Sequence, residues 1–546
     1  MDSRISRRGF IGASAAAAAA LGCAAGPEKQ AEKPASVQGD ASALPPFELE
    51  EKGLAELAAG LKSGQYTATS LTRLYLERIE ALDRFGPGLN SVIEVNPEAV
   101  AIADSLDREL KEKGPRGPLH GIPVLIKDNI ASADCMQTTA GSLALLGSRP
   151  PADSQVVRLL RQAGAVILGK TNLSEWANFR SNNSTSGWSG RGGLTRNPYA
   201  LDRNPSGSSS GSAVAVSANL CAAAIGTETD GSIVGPSAVC GCVGLKPTVG
   251  LVGRSGIIPI SASQDTAGPM TRTVADTAVL LGALAGVDPD DPRTAQSQGH
   301  IQTDYTSFLD PAGLKGARIG VLRNYFGYHP GVDRALEGLL RLMKEQGAEL
   351  LDPLKIPTEG QFHGAEYKVL TWEFKDGLNR YLDWVQGAQV HSLKELIAFN
   401  EANSARELPY FGQETLIESE SRGPLTDKEY LEARERCRSL AGPQGIDKLM
   451  DENRLDALFA PSGGPAHVSD LVCGDHGLGG SSGIPAMAGY PNLNLPGGEV
   501  FGLPFGVSFF GRAWSEPVLL RIGYAFEQAA RLRKVPRFLP SADLRI

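Results

Sequence analysis

Two loops rich in glycine and serine, separated by one run of small apolar residues, constrain this chain more than any other feature. Pro205 to Ser212 (PSGSSSGS) leads into Ala213 to Ala224, and Gly226 to Ser232 (GTETDGS) follows. A run dominated by Ala and Val beside such a loop reads as a tightly packed, buried helix capped by the loop serines. Loops at the two ends of one buried helix are able to face each other. Taken alone, the first loop also fits a linker, but an apolar helix directly after it does not.

The flanking segments supply the rest of a core. Thr67 to Leu82 places Leu71, Leu74, Tyr75, Ile79 and Leu82 on one helical face, and Asn96-Pro97-Glu98 starts a second helix that runs to about Lys113. Gly121 to Ile126 reads as a buried strand ending at Lys127, Asp153 to Arg161 as a helix, and Ala163 to Gly169 as another strand. That alternation predicts an α/β fold, a mixed sheet with helices covering both faces. A strand at Ala317 to Leu322 is followed by a largely helical region, with Tyr367, Leu370, Thr371, Phe374, Leu378 and Leu382 on one face. A helical insertion over about residues 325–450 is expected. Leu455 to Phe459 and Leu503 to Phe510 resume strand character, and Ser515-Glu516-Pro517 opens a last helix.

Several function classes fall away. The formal net charge is −8, with Lys and Arg spread along the chain, so a basic stripe for a nucleic acid backbone is missing. Gly164 to Thr171 satisfies the phosphate-loop pattern, yet its variable positions are apolar and belong to the strand itself. Gly207-Ser208-Ser209-Ser210-Gly211 matches the nucleophile elbow of α/β-hydrolases, but Arg203-Asn204-Pro205-Ser206 before it is no apolar strand. Cys240-Gly241-Cys242 stands without a second pair or a nearby His, so no metal site is expected.

Residues 1–23 read as an address. Ser6-Arg7-Arg8-Gly9-Phe10-Ile11 resembles the twin-arginine export motif and precedes an apolar stretch, Ile11 to Leu21, too short to span a bilayer stably. Gly22-Cys23 closes it either as a lipoprotein cleavage site, with Cys23 as lipid anchor, or as an ordinary cleaved signal. Residues 24–46 read as a flexible tether and residues 47–546 as the folded domain. The expectation is an exported protein, periplasmic or held to a membrane by its N-terminal lipid. Export of an already folded chain fits thiols that are buried and unpaired.

Gly121 to Asn129 (GIPVLIKDN), Pro205 to Ser212 and Gly226 to Pro236 together resemble the amidase-signature family, and the resemblance extends over nearly all of the chain after the tether. It implies a Ser-cisSer-Lys triad. Carried over position by position, Lys127 is the base, Ser208 the proton relay and Ser232, 24 positions further on, the nucleophile. Ser209 is the rival for the relay and a candidate substrate contact. The chemistry suits these residue types, since a serine hydroxyl attacks only when a base takes its proton, and burial makes a lysine amine neutral near pH 7. Without the resemblance, Lys127 reads more readily as a surface lysine closing a strand. Thr229, Asp230 and Gly231 stand where backbone N–H groups would meet an oxyanion.

Much of the family has Gly in place of Asp230 and Arg in place of Val234, so the pocket floor and its charge should differ here. The segments Thr171 to Asn178, Ser186-Gly187-Trp188 and Glu228 to Ser232 are similar to bacterial peptide amidases, which implies a C-terminal peptide amide as substrate. Trp176 and Trp188 are then candidates to line a peptide groove. No cofactor is implied, and a monomer is expected. Two other readings are an amidotransferase subunit that hydrolyses an amide, against which the export motif argues, and an anchored binding protein with an inactive amidase fold.

Overall fold

The computed structural model describes residues 46–545. The expected signal segment, Cys23 and the tether up to residue 45 lie outside them. Eleven strands form one mixed sheet. In chain order they are β1 (Val92–Val95), β2 (Pro123–Lys127), β3 (Val166–Thr171), β4 (Ala223–Glu228), β5 (Val243–Lys246), β6 (Thr266–Thr271), β7 (Arg318–Leu322), β8 (Glu349–Leu354), β9 (Ala457–Gly463), β10 (Asn492–Val500) and β11 (Leu503–Phe510). Across the sheet the order is β1-β3-β2-β4-β6-β5-β10-β11-β9-β7-β8. The neighbours β3-β2-β4 run parallel, as do β9-β7-β8, and the strands between these groups pair antiparallel.

Burial explains which segments became central strands. β2, β3 and β4 are buried at every position, which a parallel strand covered on both faces requires. Helices Ala68–Ile79, Ala99–Lys113 and Gln155–Gln162 pack their apolar sides onto this half, close to the expected bounds. Helix Ser210–Ser217 is buried along its whole length. It stops well short of Ala224, because Asn219 takes a left-handed φ of 58° and Ala223 and Ala224 already belong to β4.

The second half brings β7 to β11 into the same sheet through pairing of Asn492, Leu493 and Asn494 with Lys246, Leu245 and Gly244. Within the region expected as an insertion, helix Pro330–Glu345 leads into β8, an edge strand, so residues 330–354 extend the main sheet. From Ala365 to Asn453 the structure is helical, and helix Ala365–Trp384 buries Phe374, Leu378 and Leu382 in a second apolar cluster. Among the described residues no helix is long and apolar enough to cross a membrane. All six described cysteines are free thiols, four of them buried.

Candidate active site

β2 delivers Lys127 into the interior between β3 and β4, and its side chain is fully buried. Its Nζ lies 2.8 Å from Ser208 Oγ, 3.0 Å from Ser209 Oγ, 2.9 Å from Thr227 Oγ1 and 3.2 Å from the Thr227 carbonyl. Among the described residues it forms no ion pair. Burial pushes the amine down to about 7, against the opposing attraction of Glu228 and Asp265. Two further lysines are equally buried, Lys170 and Lys246, and burial lowers each to about 8. Lys170 donates to the Ile130 carbonyl and to Thr138, and Lys246 to the Pro247 carbonyl. Only Lys127 rests on serine hydroxyls.

The two candidate relay serines have different partners. Ser209 Oγ donates to the Thr227 carbonyl at 3.0 Å and accepts from the Thr227 N–H at 3.2 Å, so its proton is committed to β4. Ser208 Oγ has Lys127 as its side-chain partner and keeps both a proton and a lone pair for a third group. The peptide bond Gly207-Ser208 is cis.

Ser232 is reached through the second loop. It is buried, and its carbonyl accepts from the Ser209 N–H at 3.1 Å, which ties the two loops together. The hydrogen bonds among the described residues include none between the Ser208 and Ser232 hydroxyls. The N–H groups of Thr229, Asp230, Gly231 and Ser232 donate to no group among the described residues. Gly231 turns the loop at φ 77°, where a Cβ would stand 3.0 Å from Ser482 Oγ. The Glu228 carboxylate accepts from the N–H groups of Ile233 and Val234 at 2.7 and 3.0 Å and so fixes the exit of the loop.

A cavity of about 370 Å³ opens beside these loops, lined by Asn129, Ala177, Thr229, Ile258, Tyr381 and Trp384 among others. It reaches Thr227 and Thr229, whereas Ser208 and Ser232 are not in its wall. Neither tryptophan expected to line a groove belongs to it. Trp176 is 1% exposed, in the apolar cluster with Phe374 and Leu378. Trp188 is buried against Tyr410 and Phe411, with the Arg180 guanidinium over its ring. Large rings remove more apolar area from water in such packing than at a cleft wall. Their neighbour Ala177 does line the cavity, in a run from Trp176 to Asn178 with φ of 52°, 54° and 72°. Sequence reasoning missed Ala177, Tyr381 and Trp384. The signal for the last two was their place on helix Ala365–Trp384, which was read for its core face alone.

Comparison with known proteins matches this architecture. The amidase family profile covers residues 70–520. A probable amidase of Arabidopsis thaliana is 41% identical over 503 residues, covering 90% of this chain and 93% of its own. A putative amidase of Schizosaccharomyces pombe is 37% identical over 525 residues, covering 90% of this chain and 87% of its own. Among solved structures, the native peptide amidase from Stenotrophomonas maltophilia superposes with a TM-score of 0.87 at 52% identity, covering 90% of this chain and all of that one. A peptide amidase in complex with the competitive inhibitor chymostatin gives 0.88 at 53%, with the same coverage. With its mixed sheet, its paired Gly/Ser loops and a family match over most of its length, the chain belongs to the amidase-signature family of hydrolases.

Proposed function

We propose that this protein hydrolyses primary carboxamides, the C-terminal amide of peptides above all, through Ser232 as nucleophile, Ser208 as relay and Lys127 as base. The observation that carries the reading is the buried Lys127 amine, brought down to about 7 and hydrogen-bonded to a serine whose own proton is uncommitted. The similarity to peptide amidases at 52–53% identity supports the substrate class.

In this reading Ser232 Oγ attacks the carboxamide carbon while its proton passes to Ser208 Oγ and the Ser208 proton to Lys127 Nζ. The carbonyl oxygen becomes an oxyanion, for which the N–H groups of Thr229, Asp230 and Gly231 are the donors. Collapse breaks the C–N bond, the relay runs backwards to protonate the departing amine, and ammonia leaves an acyl-serine. Water enters by the same base catalysis and releases the carboxylate.

Ammonia release from a panel of amidated peptides tests this, with Ser232→Ala expected to fall to background. Absence of ammonia from every peptide and simple amide overturns it. We infer in addition an exported monomer. Fractionation of the native cell, a shift in mass of the N-terminal fragment if Cys23 is lipidated, and gel filtration of the protein check that inference.

A further inference from the structure

Two carboxyl groups meet beside the nucleophile loop. Asp230 stands two positions before Ser232, and the Glu366 carboxyl, from the first turn of helix Ala365–Trp384, lies within hydrogen-bonding reach of it. Both residues keep part of their surface exposed, and neither lines the 370 Å³ cavity. Gln264 Nε2 bridges the pair to the loop, donating to Glu366 Oε1 at 2.9 Å and to the Thr229 carbonyl at 3.2 Å. Two carboxyls in contact cannot both ionise, so the pair holds one proton and one negative charge. Burial raises both carboxyls, and the charge of Asp230 adds to it at Glu366, so the pair shares a proton at neutral pH. Asp230 Oδ1 is left buried, with no partner among the described residues. The amidase chemistry proposed above makes no use of this atom.

A primary carboxamide offers an acceptor and a donor on the same carbon. The loop offers the converse, N–H groups that donate to nothing else and, from the same stretch of chain, a carboxylate oxygen that accepts from nothing else. We infer that Asp230, positioned by Glu366 and Gln264, is the specificity-determining residue that accepts a hydrogen from the substrate NH2 group and so selects primary carboxamides over esters and carboxylates. The inference rests on the proposed amidase reading and adds to it a reason for product release. Hydrolysis replaces the NH2 donor with an anionic oxygen, and like charges then face each other across the subsite.

Binding measured in a Ser232→Ala background reads this subsite without turnover. The ligands are an N-acetyl dipeptide amide, its methyl ester and its free acid, followed by calorimetry. The amide is expected to bind roughly tenfold or more tightly than the ester, the size of effect that a charge-assisted hydrogen bond confers. Adding Asp230→Ala, or the near-isosteric Asp230→Leu should the alanine variant fail to fold, removes the acceptor and is expected to collapse that preference and to tighten binding of the acid. Glu366→Gln, which still donates to Asp230, keeps the preference, and Glu366→Ala loses it. An unchanged amide-to-ester ratio in the Asp230 variants overturns the inference. That result leaves ammonia release by the unaltered protein intact, whereas loss of that release strikes the function itself.

Discussion

Hydrogen counting at Lys127 decides what the site does as pH changes. A neutral amine has two N–H groups and one lone pair, and four oxygen atoms lie within reach. The Thr227 carbonyl takes only a hydrogen, and Ser209 has already given its proton to the same carbonyl. Thr227 Oγ1 accepts from Asn129, so two hydroxyl protons remain for the lone pair, and that of Ser208 is the one on the Gly/Ser loop tied to Ser232, which is the geometry of a base. With the amine brought down to about 7, the active form gains population as pH rises through that value. The expected kcat/KM climbs with unit slope below pH 7, is about a hundredfold down two units lower, and is flat above about 8. A profile that falls across this range contradicts the assignment. Ser208→Ala is expected to cost roughly 10²–10⁴ in kcat, the range for loss of a positioned proton carrier. Ser209→Ala should act more through stability, so activity and melting temperature of the two variants, measured side by side, separate relay from scaffold.

At the scale of elements, the cage is built by close approach of β4 to the helix Ser210–Ser217. Gly226 is where they touch, since a Cβ there would stand 2.6 Å from Met270 Sδ and 2.9 Å from Ser209 Oγ. Gly226→Ala is expected to destabilise the fold by ~1–3 kcal/mol, read as a lower urea midpoint, as overpacking a dense core does. Elements of this kind were legible in proportion to their apolar patterning. β2, β3, β7 and β11 carry continuous buried runs and were expected near their observed places. β10 was not, because Pro496, Gly497 and Gly498 argue against a strand, yet the ladder tolerates them through a bulge between Pro496 and Gly498. β5 and β6 (VGLK and TAGPMT) are strands because flanking strands pair with them, and no periodicity announces them. The site divides along the same line. Lys127, Ser208 and Ser232 sit in local motifs that a sequence displays, whereas Gln264, Glu366 and Tyr381 reach the site from segments whose own patterns speak only of core packing. Trp176 and Trp188 lie buried and off the 370 Å³ cavity, because size and position in a motif say nothing of which way a ring is buried.

For the whole molecule, an interior holding so many ionisable groups ties stability to pH. Burial, with help from neighbouring carboxylates, raises Glu175 and Glu366 to about 8, and burial raises Asp265 to about 6 and Glu527 to about 7. The folded chain thus holds more protons than the unfolded chain from the ordinary carboxylate range up to those values, and stability falls as pH rises through that window. The three buried lysines act oppositely. With folded values of about 7 to 8 against the ordinary 10.5, they leave the folded chain short of protons in the alkaline window, where stability rises with pH. The melting temperature is therefore expected to drop between pH 5.5 and 8 and to level or recover toward pH 10, which scanning calorimetry in a pH series checks. A midpoint that climbs steadily from 5.5 to 8 refutes it.

The short seam between Gly244-Leu245-Lys246 and Asn492-Leu493-Asn494 sets a timetable for biosynthesis. The strand that closes β5 leaves the ribosome about 250 residues after it, so a nascent chain carries an open, apolar sheet margin for nearly half of its translation. Holdase chaperones have their natural purchase on that margin, and a message truncated before codon 492 yields a protein prone to clump rather than a smaller working hydrolase.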